Sequence, residues 1–121
     1  MLAVGIDLCE IDRIQRSMRN PRFCREILGE QEFAQLQGRG FPAQSVAASF
    51  SAKEAFAKAM GTGLCGFSLR EVELLRQRNG APYLHLTGRA AALAAGWEFS
   101  VSISHTGSTA AAVVAGERKE A

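Results

Sequence analysis

No apolar run in the chain approaches the roughly 18 residues that a membrane span requires, so no transmembrane helix is predicted. The start, Met1-Leu2-Ala3-Val4-Gly5-Ile6-Asp7, lacks a basic lead-in, and its apolar stretch breaks at Asp7, which argues against a secretory signal. Cysteine is scarce: Cys9, Cys24 and Cys65 are odd in number, far apart and form no Cys-x-x-Cys pair. That speaks against zinc and dithiol redox chemistry, and for free thiols in a reducing compartment. A large charge imbalance is also missing; a net charge of +2 argues neither for nor against nucleic acid. There is no P-loop and no dinucleotide fingerprint, and Ser104 does not sit in Gly-x-Ser-x-Gly, so a serine hydrolase is not supported. No repeat, low-complexity segment or linker divides the chain. What remains is an ordinary globular composition, 47% hydrophobic and 21% charged, read as one cytoplasmic domain over residues 1–121.

The periodicity that is present predicts α+β, with an antiparallel sheet packed on a long helix. Leu2 to Leu8 reads as a short strand, after which Ile11, Ile14 and Met18 take helical spacing. Asn20-Pro21 breaks that helix and can start another, with Phe23, Ile27 and Leu28 inward. Glu30 to Gln37 reads as a further short helix, and Gly38 to Pro42 as a loop. Ser45 is the expected N-cap of a long helix over about Val46 to Met60, whose Ala52, Ala55, Phe56 and Ala59 form a buried face. Leu69 to Leu75 and Pro82 to Thr87 read as a hairpin turned at Asn79-Gly80. An Ala-rich helix follows within Gly88 to Gly96. Trp97, Phe99, Val101 and Ile103 alternate with polar residues as a half-buried strand, and Ala110 to Ala115 returns beside it.

The chemistry-bearing residues are few. Asp7 ends an apolar strand, where a carboxylate costs energy unless it is paired, hydrogen-bonded or metal-bound; its bland role is a helix N-cap. Glu54 is a second isolated acid. Two carboxylates from different elements suit a hard cation such as magnesium. The bland alternative for Glu54 is a solvated i,i+4 pair with Lys58. Lys53, Lys58 and the amides of Gly61-Thr62-Gly63 would suit phosphate, although that turn also reads as a helix C-cap. His105 ends the last alternating run, either as a buried, satisfied histidine or as a proton donor or phosphate ligand. His85 has no motif around it and reads as structural. Arg13, Arg16, Arg19, Arg22 and Arg25 recur every three residues with no acid between the first and last, which suits either a solvated face or an acidic partner. Aromatics hardly interleave with them, which weakens a single-stranded nucleic-acid reading.

Three blocks in this order resemble a known family. They are Gly5-Ile6-Asp7-Leu8-Cys9-Glu10-Ile11, Phe50 to Gly63 with its Lys53-Glu54-Ala55, and Val101-Ser102-Ile103-Ser104-His105-Thr106. Together with the Asn79-Gly80-Ala81-Pro82 turn, they resemble the holo-acyl-carrier-protein synthase branch of the 4′-phosphopantetheinyl transferases. The resemblance implies transfer of 4′-phosphopantetheine from coenzyme A to a serine of apo-acyl carrier protein. It also implies a magnesium requirement and a homotrimer with active sites between subunits. By this likeness Asp7 and Glu54 match the metal-binding acids, and Lys58 the lysine near the coenzyme A phosphates that is a proposed proton donor. His105 and Thr106 match the block that contacts those phosphates, and Gly61-Thr62-Gly63 the turn lining the nucleotide. Arg13, with Arg16 beside it, matches a helix that docks the carrier protein. Lys53 is assigned to the coenzyme site with an open role, and Glu32 is a candidate general base.

Two positions depart from the family pattern. Many relatives carry arginine where this chain has Ser49, and lysine where it has Ala81. Arg39, in the glycine loop, is a candidate substitute for the missing cations. Two other classes stay in view: a coenzyme A-binding regulatory module without turnover, and a basic adaptor acting through its arginines.

Overall fold

A computed structural model of the chain describes residues 1–119. Strand β1 (Leu2–Glu10) leads into helices α1 (Ile11–Ser17), α2 (Phe23–Ile27) and α3 (Glu30–Gly38), then the long α4 (Ala43–Met60). A 3-10 turn at Leu69–Glu71 precedes the hairpin of β2 (Val72–Arg76) and β3 (Pro82–Leu86). Helix α5 (Gly88–Leu93) and the hairpin of β4 (Trp97–His105) and β5 (Thr109–Arg118) complete the described chain. The class is α+β with antiparallel strands, as the periodicity predicts. The strands divide into two sheets, one ordered β1-β5-β4 and one formed by β2 and β3.

Several boundaries shift for identifiable reasons. Strand β1 runs on to Glu10 because its pairing with β5 continues to Glu10 opposite Thr109. Helix α4 starts before Ser45: Pro42, at φ −60° and ψ 131°, takes the N-cap position, and its carbonyl accepts from the amides of Ser45 and Val46. The buried Ser45 therefore lies inside the first turn. Strand β2 begins only at Val72, because Ser68 and Glu71 form a capping box that winds Leu69–Glu71 into a 3-10 turn.

Helix α4 is buried on most of its circumference, including Val46, Ala47, Ala48, Ala52, Ala55 and Ala57. It packs across β1 and β5 on one side and β2 on another, so small residues let backbones approach from more than one direction. Phe56 anchors this core, edge-on to Phe67 at 5.4 Å and to Phe99 at 5.2 Å.

The closest approach is at Gly5, where an added Cβ would lie 2.0 Å from the Ala55 carbonyl oxygen and 2.6 Å from the Ala59 nitrogen. Both contacts are backbone, so nothing can rotate away. Gly5→Ala is expected to destabilise the fold by about 3 kcal/mol, the upper range for overpacking. Urea unfolding checks this, and an unchanged midpoint would contradict the close β1–α4 contact.

Candidate functional site

Asp7 lies on the sheet face that receives α4, in the row that runs through Ala112 of β5 to Ile103 of β4. Because β1 is an edge strand, its open side has no neighbouring strand to pair its carbonyls. Lys58, from the last turn of α4, reaches this edge: its Nζ donates to the Ile6 carbonyl at 3.0 Å and to Asp7 Oδ1 at 3.3 Å. Glu54 sits one turn earlier on the same helix, half-buried. No ion pair forms between Glu54 and Lys58; the lysine leans to β1 instead. The Lys58 side chain is 56% exposed and that of Asp7 15%, so their pairing contributes at most about 1 kcal/mol. Its importance is positional.

The Glu54 carboxyl is held above the usual carboxylate range, first by burial and then by the negative charge of Asp7. Lys58 and Arg13 oppose that rise. Four charges from β1, α4 and α1 therefore share one corner, with two carboxylates that repel each other. A hard divalent cation relieves that repulsion. Asp7 and Glu54 are oxygen donors, and two carboxylates leave positions for water and phosphate oxygens, as magnesium prefers. Among the described residues no cluster of three or more His, Cys, Asp or Glu could form a closed metal cage. The donor set thus fits an open magnesium site.

Other expected site residues are placed differently. Lys53 does not face this corner. It is fully buried, and its ammonium donates to Glu32 Oε1 at 2.6 Å and to the Val72 carbonyl. Glu32 is equally buried and accepts from the amides of Gly29 and Leu74 as well. With both oxygens occupied and no solvent access, Glu32 cannot serve as a general base, and Lys53 cannot touch coenzyme A. Helical periodicity missed this because α4 is enclosed on several sides.

The Gly61-Thr62-Gly63 turn is a helix C-cap. Gly61 is left-handed at φ 71°, its amide bonds back to α4, and that of Thr62 donates to Ala57 at 3.2 Å. Those two amides are spent on the helix. The Thr62 hydroxyl donates to the Gly63 carbonyl at 2.8 Å.

His105 is exposed rather than buried, at the very end of β4. Its Nδ1 lies 3.2 Å from the Thr106 carbonyl oxygen, and its Nε2 has no partner among the described residues. Thr106 shapes the β4–β5 turn, its hydroxyl accepting from the amides of Ser108 and Thr109. His105 and Asp7 lie on strands separated by β5, roughly 10 Å apart across the sheet. One chain therefore does not bring His105 to the carboxylates. His85 sits 3.9 Å from the buried Glu73, a structural position.

Arg13 and Arg16 are exposed on α1. The expected stripe then breaks: Arg19 and Arg22 lie in the turns after α1, and Arg25 stacks over Phe33 at 4.4 Å.

A second polar cleft, of about 260 Å³, went unread in the sequence. Arg39, Arg76 and His105 line it together with Gln44, Ser45 and Ser104. Three segments distant in sequence converge here, residues 39–48, Arg76 and residues 103–105, so no local motif marks Arg76.

The sequence profile of the 4′-phosphopantetheinyl transferase superfamily matches residues 3–114, nearly the whole chain. The chain belongs to this superfamily. Among similar proteins is the holo-[acyl-carrier-protein] synthase of Moorella thermoacetica, 42% identical over 117 residues, covering 93% of this chain and 91% of that protein. The superfamily fold recurs in the crystal structure of the holo-[acyl-carrier-protein] synthase of Neisseria meningitidis. Its TM-score is 0.88 at 30% identity, covering 96% and 98% of the two chains. An ACPS–CoA complex from Chronobacterium ammoniagenes superposes with a TM-score of 0.85 at 27% identity, covering 99% of both chains. No described helix is long and apolar enough to cross a membrane.

Proposed function

We infer that this chain, acting as one domain over residues 1–121, transfers 4′-phosphopantetheine from coenzyme A to a serine of apo-acyl carrier protein. The products are holo-acyl carrier protein and adenosine 3′,5′-bisphosphate, in support of fatty acid biosynthesis in the cytoplasm. The observation that carries this reading is the convergence of Asp7, Glu54 and Lys58 at one corner of a chain that matches the superfamily over nearly its full length.

The serine hydroxyl gives its proton to water as its oxygen forms a bond to the phosphorus bearing pantetheine, and the bond from that phosphorus to the adenosine bisphosphate oxygen breaks. Such transfers depend mostly on positioning and charge neutralisation. Asp7 and Glu54 would hold magnesium, which would supply Lewis-acid charge neutralisation at the phosphates. Lys58, already fixed against β1, offsets charge on the departing phosphate and can protonate it. Arg13 and Arg16, on the neighbouring α1, meet the acidic carrier. Arg13 lies near enough to the corner to influence Glu54, which ties docking to the reaction centre.

The active unit is a homotrimer. On β1 the large aliphatic side chains face outward: Leu2, Val4, Ile6 and Leu8 are 80%, 67%, 61% and 68% exposed. Their face continues through Ala111, Val113 and Ala115 of β5 to Ser100, Ser102 and Ser104 of β4. A row of large aliphatic side chains facing water is costly unless a partner covers it. A neighbouring copy would also bring a His105 to an Asp7–Glu54 corner, which one chain cannot do. Ile6→Glu is expected to yield monomers by sedimentation, with carrier modification reduced at least about tenfold. A wild-type protein that sediments as a monomer would end the trimer reading.

The function itself is tested by incubating the protein with coenzyme A, magnesium and apo-carrier protein, then weighing the carrier. A gain of one phosphopantetheine is expected. Coenzyme A binding without any gain in carrier mass would instead identify a regulatory module.

A further inference from the structure

Beside the carboxylate corner the fold buries a hydroxyl that it leaves unused. Ser51 of α4 is 0% exposed, and its Oγ is the only buried side-chain nitrogen or oxygen among the described residues without a hydrogen-bond partner. Such a hydroxyl has given up its hydration with nothing in exchange, which destabilises the fold. A helical serine ordinarily bonds back to the carbonyl four residues earlier, here that of Ala47. Ser51 makes no such bond, so its hydroxyl is not committed to its own helix.

The hydroxyl faces β1, where Ala3, Gly5, Asp7 and Cys9 alternate inward. Gly5 meets the backbone of Ala55 and Ala59, Asp7 meets Lys58, and the Cys9 thiol meets Ser51. The strand and the helix therefore run past each other in opposite directions. The Asp7–Glu54 corner lies between the Gly5 contact and the Ser51 contact. Cys9 gives Ser51 little to bond to: its Sγ donates to the Glu10 carbonyl at 3.7 Å and offers only a weak sulfur acceptor. Of the two carboxylates close by, Asp7 already accepts from Lys58 through Oδ1 at 3.3 Å. The Glu54 carboxylate accepts none of the described hydrogen bonds. Glu54 is three residues beyond Ser51, so the two are neighbours on the helix surface. Helical side chains lean toward the N-terminus, which inclines Glu54 toward Ser51.

We infer that Ser51 is a positioning residue for the magnesium site, its hydroxyl donating to the ionised Glu54 carboxylate when that group holds the cation together with Asp7. The inference rests on the magnesium site of the transferase reading above. An ionised carboxylate only accepts, and it has two oxygens. One is left for the cation while the other takes the hydroxyl proton. Serine turns about a single side-chain bond, so the hydroxyl moves from Cys9 to Glu54 with no change in the backbone. The orphan hydroxyl is thus a donor held ready, and the penalty it imposes on the magnesium-free fold is relieved on loading.

Calorimetric titration with magnesium alone, and thermal melts of magnesium-free protein, test this on wild type and Ser51→Ala. Ser51→Ala is expected to weaken magnesium binding about tenfold, the lower range for removing the hydrogen-bond partner of a metal ligand. Its magnesium-free melting temperature should rise, because an unpartnered buried hydroxyl is gone and alanine is the better helix former. Weaker magnesium binding without loss of stability is the supporting result, and a purely structural serine would not produce it. A fall in both quantities would assign Ser51 to packing and overturn the inference, as would an unchanged magnesium affinity.

Cys9→Ala provides the second variant. It keeps the Ser51 hydroxyl, so magnesium affinity should stay at the wild-type value even where the cavity left by the thiol lowers the melting temperature. Equal weakening in Cys9→Ala and Ser51→Ala would trace the effect to the spacing of β1 and α4 and overturn the inference. Carrier mass separates the role of Ser51 from the transferase reading. If Ser51→Ala weakens magnesium binding while wild type leaves the carrier unmodified, the transferase reading fails and the role of Ser51 stands. If wild type modifies the carrier while both proteins bind magnesium alike, only the role of Ser51 fails. A wild type that takes up no magnesium would overturn that role together with the metal site.

Discussion

Glu54→Ala is expected to reduce carrier modification by at least about 1000-fold at a magnesium concentration that saturates wild type, while the melting temperature stays within about 2 °C. The activity effect is large because Glu54 provides half of a two-carboxylate site, and Asp7 alone keeps Lys58 as its nearest charged neighbour. The stability effect is small because Glu54 is half-buried and none of the fold's described side-chain hydrogen bonds runs through it. Calorimetric magnesium titration, carrier mass and a thermal melt measure the three quantities. Near-normal turnover in this variant would refute the metal assignment.

The same residue predicts a pH dependence. Its folded-state pKa is raised by burial and by Asp7, so the carboxyl keeps its proton to a higher pH than an ordinary glutamate. A cation must displace that proton, so magnesium affinity rises with pH through the folded pKa. The acid limb of kcat/KM should therefore lie above the usual glutamate range and move down as magnesium is increased. In magnesium-free protein the stability linkage has the opposite sense. A raised pKa contributes stability below the unfolded value, and the contribution is lost as pH rises through the folded one.

Lys53→Ala is expected to cost about 3–5 kcal/mol, the range for breaking a buried ion pair, and to lower the melting temperature by roughly 10–20 °C. Removing the ammonium strands the Glu32 carboxylate at 0% exposure and leaves the Val72 carbonyl without its donor. Burial lowers the pKa of Lys53, while Glu32 and then Glu73 pull it back up. The pair is thus a costly staple that joins α3, α4 and β2. The double variant Lys53→Met with Glu32→Gln should lose less than the sum of its single changes, because neither uncompensated charge remains. A Lys53→Ala protein as stable as wild type, yet unable to bind coenzyme A, would return Lys53 to the active site.

How legible a residue was depended on how local its constraint is. Trp97 to Ile103 alternates strictly, and β4 forms there with that face half-buried. Asn79-Gly80 lies in the turn between β2 and β3, with Gly80 at φ 87° and the Asn79 side chain accepting from the Ala81 amide. These features answer to neighbours only a few positions away. The two lysines of α4 were not separable in this way. Lys53 is enclosed because α3 and β2 close over it, whereas Lys58 stays exposed beside β1. Helical spacing assigns a face, but it does not say what packs against each face.

The sequence by itself determined the α+β class, the long central helix and the likeness that pointed to the transferase family. Each of these follows from local periodicity or from motifs in a set order. Only the tertiary structure decided that Lys58 rather than Lys53 meets Asp7. It also decided that Glu32 is a buried partner, that His105 lies across the sheet from the carboxylates, and that Arg76 joins Arg39 in one cleft. Those outcomes depend on which distant segments share a space. That is set by packing and desolvation over the whole chain, which no short stretch encodes.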